Sequence, residues 1–143
     1  MVRTRELQKE TGGFTEFVTL PFVHMASPIY LRRKARRGPT YRETLLMHAV
    51  ARLAYRGWID NIQASWPKIG LAGVTQLLHA GVNDLGGTLI DENISRAAGA
   101  THGTALTPQD FHNAVAPLGR VLRQRNTAYE LIDNHQPVTT TSH

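Results

Sequence analysis

Cysteine is missing from all 143 residues. That excludes disulfides, thiolate catalysis, sulfur-built zinc sites and a thiolate-held iron–sulfur cluster within this chain. The seven histidines, at 24, 48, 79, 102, 112, 135 and 143, show no HExxH or comparable metal spacing. No apolar run approaches the roughly 20 residues that span a bilayer. The opening MVRTRELQKETGG lacks the apolar centre of a secretory signal. No GxGxxG follows a strand pattern, so a dinucleotide fold has no support. No GxSxG is present, and no Ser-His-Asp logic is visible. The expectation is a cytoplasmic protein with no membrane partner and no metal site of its own.

Acidic residues are the scarcer charge, 11 against 16 Lys plus Arg, which sets the isoelectric point near 10.1. The densest basic run is Arg32, Arg33, Lys34, Arg36 and Arg37. Such a run can bind phosphates or nucleic acid. Here no RNA-module signature, recognition-helix pattern or interleaved aromatics accompany it, so it reads as a solvated loop before a helix, and no nucleic-acid partner is expected.

What is present is a core-forming composition, 41% hydrophobic, in a chain of single-domain length. Three units repeat the order strand, loop, helix. The first strand, GFTEFVTLPFV, is expected to be buried, with Pro21 ending its ladder. After an irregular loop over residues 24–39, Thr40 and Glu43 form a capping box that opens a helix to about Tyr55. Its expected apolar face is Leu45, Leu46, Ala49, Val50 and Leu53. The second strand is Asn61 to Trp66, followed by a short helix carrying Leu71, Val74, Leu77 and Leu78. The third is Val82 to Leu85, running into Gly86-Gly87-Thr88. Asp91 is expected to cap a brief helix from Glu92 to Ala98. Thr107-Pro108 starts another helix, which Pro117 and Gly119 stop. Strands separated by helices imply an α/β fold with a parallel sheet. An open sheet and part of a barrel both satisfy this pattern.

Ligands of parallel α/β folds meet the C-terminal ends of the strands. That rule selects His24, Ser27 and Tyr30; then Gln63, Ser65, Trp66 and Lys68; then Asn83, Asp84, Gly86, Gly87, Thr88, Glu92 and Asn93. Each has a plainer role open to it: a backbone hydrogen bond for His24, a turn for the glycines, helix caps or ion pairs for Asp84 and Glu92, and a core wall for Trp66. On residue chemistry alone these positions describe a polar rim and leave the reaction open.

Four segments carry a resemblance: RELQKETGGFTEFVTLPFVHM, ARRGPTYRETLLMHAVARL, NIQASWPKIG and GVNDLGGTLIDENISRAAGATHG. They resemble the tyrosine-condensing component of FO synthase, a radical S-adenosylmethionine family, and RQRNTAY is similar to that family's closing motif. The likeness extends from about Arg3 to Tyr129. It implies the C-terminal half of a partial (βα) TIM-type barrel, beginning with the helix before its fifth strand, over residues 1–132, with 133–143 a flexible tail.

The implied activity joins a hydroxybenzyl group from tyrosine to 5-amino-6-(D-ribitylamino)uracil in deazaflavin coenzyme biosynthesis. The implied cofactors are S-adenosylmethionine and a 4Fe-4S cluster, and a partner activity closes the ring. The family's CxxxCxxC cluster motif is absent here, so the missing N-terminal barrel half is an implied partner, and the chain is expected to be a truncated product or one piece of a longer protein.

By position in the family, Gln63, Ser65 and Trp66 border S-adenosylmethionine. His24, Lys68, Asn83, Asp84, Gly86, Gly87, Thr88, Glu92 and Asn93 face tyrosine or the ribityl-uracil, and Gln124 and Arg125 cover the barrel mouth. Two departures stand out. Ala26-Ser27-Pro28 stands where the family usually has Glu-Ala-Pro, and Pro67 replaces a common Val. The alternatives are a menaquinone-pathway radical enzyme fragment and a non-catalytic half barrel that binds a ligand or partner. A half barrel leaves strand edges unpaired, which favours self-association. Reconstituting this chain with iron, sulfide and reductant is expected to yield no deoxyadenosine from S-adenosylmethionine, as read by chromatography.

Overall fold

The computed structural model describes residues 1–88, 97 and 105–132. Apart from residue 97, the expected helix at 92–98, with its cap Asp91 and with Glu92 and Asn93, lies outside the described residues, as does the tail at 133–143. Helix α1 (Val2–Thr11) leads into strand β1 (Glu16–Thr19), and the short helix α2 (Pro28–Leu31) follows. Next come helix α3 (Tyr41–Ala54), strand β2 (Asn61–Ala64), the single turn α4 (Trp66–Ile69) and helix α5 (Leu71–His79). Helix α6 (Pro108–Val115) ends in a 3-10 turn at Ala116–Leu118.

The two strands pair in parallel, Glu16 opposite Asn61 through Thr19 opposite Ala64. The α/β class and parallel pairing therefore agree with the sequence. The third strand is reduced to a single parallel bridge between Gln63 and Asp84. Its physical cause is local. Gly81 and Gly86, at φ 101° and 71°, bend the chain at both ends of the segment. The Asn83 side-chain oxygen also takes the Ile62 N–H at 2.8 Å, a ladder donor that then has no need of a neighbouring backbone carbonyl. Only Ala64 N to Asp84 O, at 3.0 Å, and two longer contacts from Asn83 and Asp84 N to Ile62 O hold the backbones together.

Arg52 fastens this arrangement from α3. Its guanidinium donates to Gly81 O at 2.6 Å, Asp60 O at 2.7 Å and Asn83 Oδ1 at 2.6 Å. One side chain thus ties the entries of β2 and of the bridged segment to the helix that covers them. The Gly81 φ suits glycine, and a side chain there would also strike Arg52 Cβ and Cγ at 2.7 Å.

Two expectations about burial are corrected. The first strand is half-buried throughout, and Phe14, Leu20 and Phe22 around it are exposed. It has one neighbour, β2, and its other edge has no partner among the described residues. On α3 the buried face is Thr44, His48 and Ala51, continuing to Tyr55, whereas Leu46, Val50 and Leu53 are exposed. The polar residues win because the sheet offers them partners. His48, fully buried, has Nδ1 at 2.8 Å from Thr44 O and Nε2 at 2.9 Å from Thr19 Oγ1. A carbonyl only accepts, so Nδ1 carries a proton and donates to Thr44 O. Phe17 meets the Tyr55 ring at 4.8 Å beside it.

The capping box forms as expected at Thr40/Glu43, and a second forms at Thr107/Asp110. Arg52→Ala is expected to lower stability by about 2 kcal/mol or more, because three carbonyl-type acceptors lose a charged donor. Urea unfolding followed by circular dichroism measures it.

Candidate functional site

Alternation along β1 puts Glu16 and Val18 on the sheet face opposite Phe17 and Thr19, which face α3. Gln63 of β2, opposite Val18 and bridged to Asp84, shares that inner face. The last described segment folds back over it. Residues 124–126 and 130–132 form a small hairpin, with Ile132 N on Gln124 O at 2.9 Å, Asn126 N on Glu130 O at 3.0 Å and an antiparallel bridge between Arg125 and Leu131. Asn126 seals the loop, donating to Glu130 Oε2 at 2.7 Å and accepting from Glu130 N at 3.0 Å.

This hairpin delivers two side chains to one carboxylate. Arg125 donates from Nε at 3.0 Å and Nη2 at 2.6 Å to Asp84 Oδ2, and Tyr129 donates to the same oxygen at 2.5 Å. The Tyr129 hydroxyl also meets Glu16 Oε2. Asp84 Oδ1 accepts from Gly86 N at 2.8 Å, so both oxygens of this buried carboxylate are engaged. The Arg125 guanidinium sits 3.9 Å from the centre of the Tyr129 ring, a cation–π arrangement. Tyr129 takes this place at φ 65°, a conformation that bulky residues rarely hold without surrounding contacts.

The electrostatics follow from the packing. Burial first, then the hydrogen bonds to Asp84 and Glu16, push the Tyr129 hydroxyl well above its ordinary range. Burial alone would lower Arg125, but the hydrogen bond and charge of Asp84 more than offset that and hold it above its usual value.

Two clefts flank this cluster and share Leu85, Gly86 and Gly87. The smaller, about 460 Å³, lies at the C-terminal ends of β1 and β2. Of the expected S-adenosylmethionine residues, Gln63, Ser65 and Trp66 all line it, together with Lys68. Trp66 contributes only a wall, since it is buried, its Nε1 donates to Gly87 O at 3.0 Å and its ring packs edge-on against Phe111. The larger cleft, about 720 Å³, brings together Asn83, Asp84, Gly86, Gly87, Thr88, Gln124 and Arg125. Asn83 has its side-chain oxygen committed to Arg52 and Ile62. His24 lines neither cleft. It packs edge-on against Tyr30 at 4.8 Å and beside the loop at Gly38, where a Cβ would lie 3.1 Å from its Nδ1.

Glu16 and Tyr129 are absent from the residues that sequence reasoning selects. The signals for them are nonetheless present: strand alternation turns Glu16 inward, and Tyr129 closes the RQRNTAY motif. Among the described residues no group of three or more His, Asp or Glu is placed to hold a metal ion, and the chain has no cysteine. A 4Fe-4S cluster therefore has no thiolate ligand in this chain.

The fold is a parallel α/β unit with a polar cluster on the inner face of its sheet and two clefts beside it, and ligands of such folds meet the C-terminal ends of the strands. Residues 11–138 match the family model described as the CofH/MqnC C-terminal region, and the chain belongs to that family. It is similar to FO synthase of Nocardia farcinica, with 52% identity over 129 residues, covering 90% of this chain and 15% of the relative. FO synthase of Mycobacterium tuberculosis is 49% identical over 128 residues, with the same shares. The 5-amino-6-(D-ribitylamino)uracil–L-tyrosine 4-hydroxyphenyl transferase of Methanopyrus kandleri is 52% identical over 130 residues, covering 91% of this chain and 35% of the relative. The chain thus spans only a minor part of the curated relatives it matches. No solved structure matches it.

Tyr129 sets an alkaline limit. Its hydroxyl ionises near pH 10 when unfolded but resists ionisation when folded, so its stabilising effect is complete below about pH 10 and is lost as pH rises above that value. Chemical unfolding between pH 9 and 11 is expected to show a shallower loss of stability in Tyr129→Phe than in wild type.

Proposed function

We infer that this chain is part of a radical S-adenosylmethionine transferase that couples a tyrosine-derived 4-hydroxybenzyl group to 5-amino-6-(D-ribitylamino)uracil in deazaflavin formation. The observation that carries the reading is the 52% identity over 130 residues to a transferase bearing those two substrates in its name. The sheet is read as one side of a (βα) barrel over residues 1–132, with β1 as the edge that awaits a further parallel strand. Its inner face supports this assignment, because Glu16, Gln63, Asp84 and Arg125 make it polar where an open sheet resting on a helix would need it apolar.

In the complete enzyme S-adenosylmethionine would supply the reactive radical. No thiolate ligand for the cluster is in this chain. What this chain contributes is binding and exclusion of water. Gln63 and Ser65 offer polar contacts at the rim of the smaller cleft, with Val18, Leu20 and Leu85 as apolar walls, and the volume lies in the range of small-molecule sites. Asp84, fully hydrogen-bonded, holds the Gly86-Gly87 turn that separates the two clefts. The open position at Gly87, where a Cβ would meet nothing within 4 Å, lets a ligand approach the backbone.

A second reading is a non-catalytic half barrel that binds a small ligand or a partner chain. Mixing the chain with a separately expressed family segment that carries CxxxCxxC and the earlier strands decides between them. The transferase reading expects reconstituted mixtures to form the tyrosine–uracil product by mass spectrometry. A stable, stoichiometric complex that never forms product supports the binding module instead.

A further inference from the structure

The positive charge of this chain is confined to one stretch. Residues 17–42 contain no Asp or Glu, yet they carry Arg32, Arg33, Lys34, Arg36, Arg37 and Arg42. The rest of the chain holds ten cations against eleven acids, so the whole excess belongs to this segment. All six cations are exposed. Arg36 reaches Glu43 at 3.6 Å, and the other five make no ion pair among the described residues.

Sequence alone reads the basic run as a solvated loop, whereas the structure shows a folded one. Ser27 N donates to His24 O, Tyr30 N and Leu31 N to Ser27 O, and Lys34 N to Ile29 O, each at 3.0 Å. Ser27 is buried, and Tyr30 packs edge-on against His24. The loop closes on itself at Gly38, where a Cβ would run into Phe22 O, so the closure requires glycine. With its backbone engaged internally, the loop shows its surroundings two kinds of side chain. Phe22, Met25, Ile29 and Leu31 are exposed, Leu31 by 66%, and the cations follow directly. None of residues 22–42 lines either cleft, so this surface is separate from the site described above.

We propose that the loop over residues 22–37 is a peripheral docking surface for an anionic lipid membrane. Its cations take the headgroup phosphates and carboxylates, and Met25, Ile29 and Leu31 enter the acyl boundary. Membrane attachment without a span needs both an apolar and a polybasic signal, and both are present here within a few positions of each other. A nucleic-acid backbone would answer the cations but leave the exposed aliphatic side chains unmatched, and no aromatic lies between the cations to stack on bases. A peptide partner would want a strand edge or a groove, and the loop offers neither. A fluid headgroup layer adapts to such a surface. The proposal is independent of the transferase reading.

Vesicle flotation of the 143-residue chain tests it, because bound protein floats while self-associated protein sediments. Vesicles of phosphatidylcholine alone are compared with vesicles containing about 30% phosphatidylserine. Partitioning is expected to be at least about tenfold higher with phosphatidylserine, and to be lost in about 1 M salt. Arg32→Gln/Lys34→Gln/Arg37→Gln removes three cations that make no ion pair, and is expected to cut partitioning at least about tenfold. Ile29→Ser/Leu31→Ser should weaken it several-fold while leaving its salt dependence in place. Circular dichroism checks that both variants fold. Equal flotation with and without phosphatidylserine overturns the proposal in wild type, as does no flotation at all, so neither result depends on a variant. Unchanged partitioning in either folded variant overturns it too. Tighter binding to a duplex oligonucleotide in fluorescence anisotropy, indifferent to Ile29→Ser/Leu31→Ser, would assign the surface to nucleic acid instead.

Discussion

One oxygen, Oδ2 of Asp84, receives the guanidinium of Arg125 and the hydroxyl of Tyr129 from a hairpin 41 to 45 positions further along the chain. An ionised acceptor makes these bonds stronger than neutral ones, and burial raises the cost of breaking any of them singly. Through this junction the hairpin stays on the sheet, the Gly86 turn keeps its shape and Glu16 gains its partner. Remove the carboxylate, and the guanidinium and the phenol that cover the inner face lose the acceptor they share.

The opposite side of the sheet is organised on different terms. There His48, Thr19 and Thr44 are satisfied inside an otherwise apolar layer of Ala51, Tyr55, Ile62, Ala64, Val74 and Leu77. Arg52 then bridges that layer to the strand entries. The sheet is therefore apolar toward the helices and polar toward the clefts. This asymmetry follows from strand alternation, because each residue along β1 and β2 is assigned to one face or the other by parity.

Much of the site's outline is legible in the amino-acid sequence. The rule that ligands meet strand C-terminal ends selects Gln63, Ser65, Lys68, Asp84, Gly86 and Gly87, and these do line the two clefts. The same rule selects His24, yet the ladder stops at Thr19, two residues short of Pro21, and His24 packs beside the Gly38 loop. Asn83 reads as a rim residue, but its side chain replaces a backbone carbonyl in the sheet. Glu16 escapes the rule because it sits at the start of its strand, where the rule does not look. Tyr129 escapes it because its role depends on a partner more than a hundred residues away.

Sequence alone determined the family likeness, the α/β order, the capping box at Thr40, the helix start at Thr107, and the glycine turns at 81 and 119. These are local: each depends on residues a few positions apart, or on motifs read in order. The tertiary structure decided which face of α3 is buried, why the third strand shrinks to one bridge, and that Arg125 and Tyr129 share the Asp84 carboxylate. Those outcomes depend on competition among distant groups for the same hydrogen bonds. Periodicity ranks Leu46, Val50 and Leu53 as core, yet only the pairing of His48 with Thr19 shows which side of the helix the sheet can satisfy.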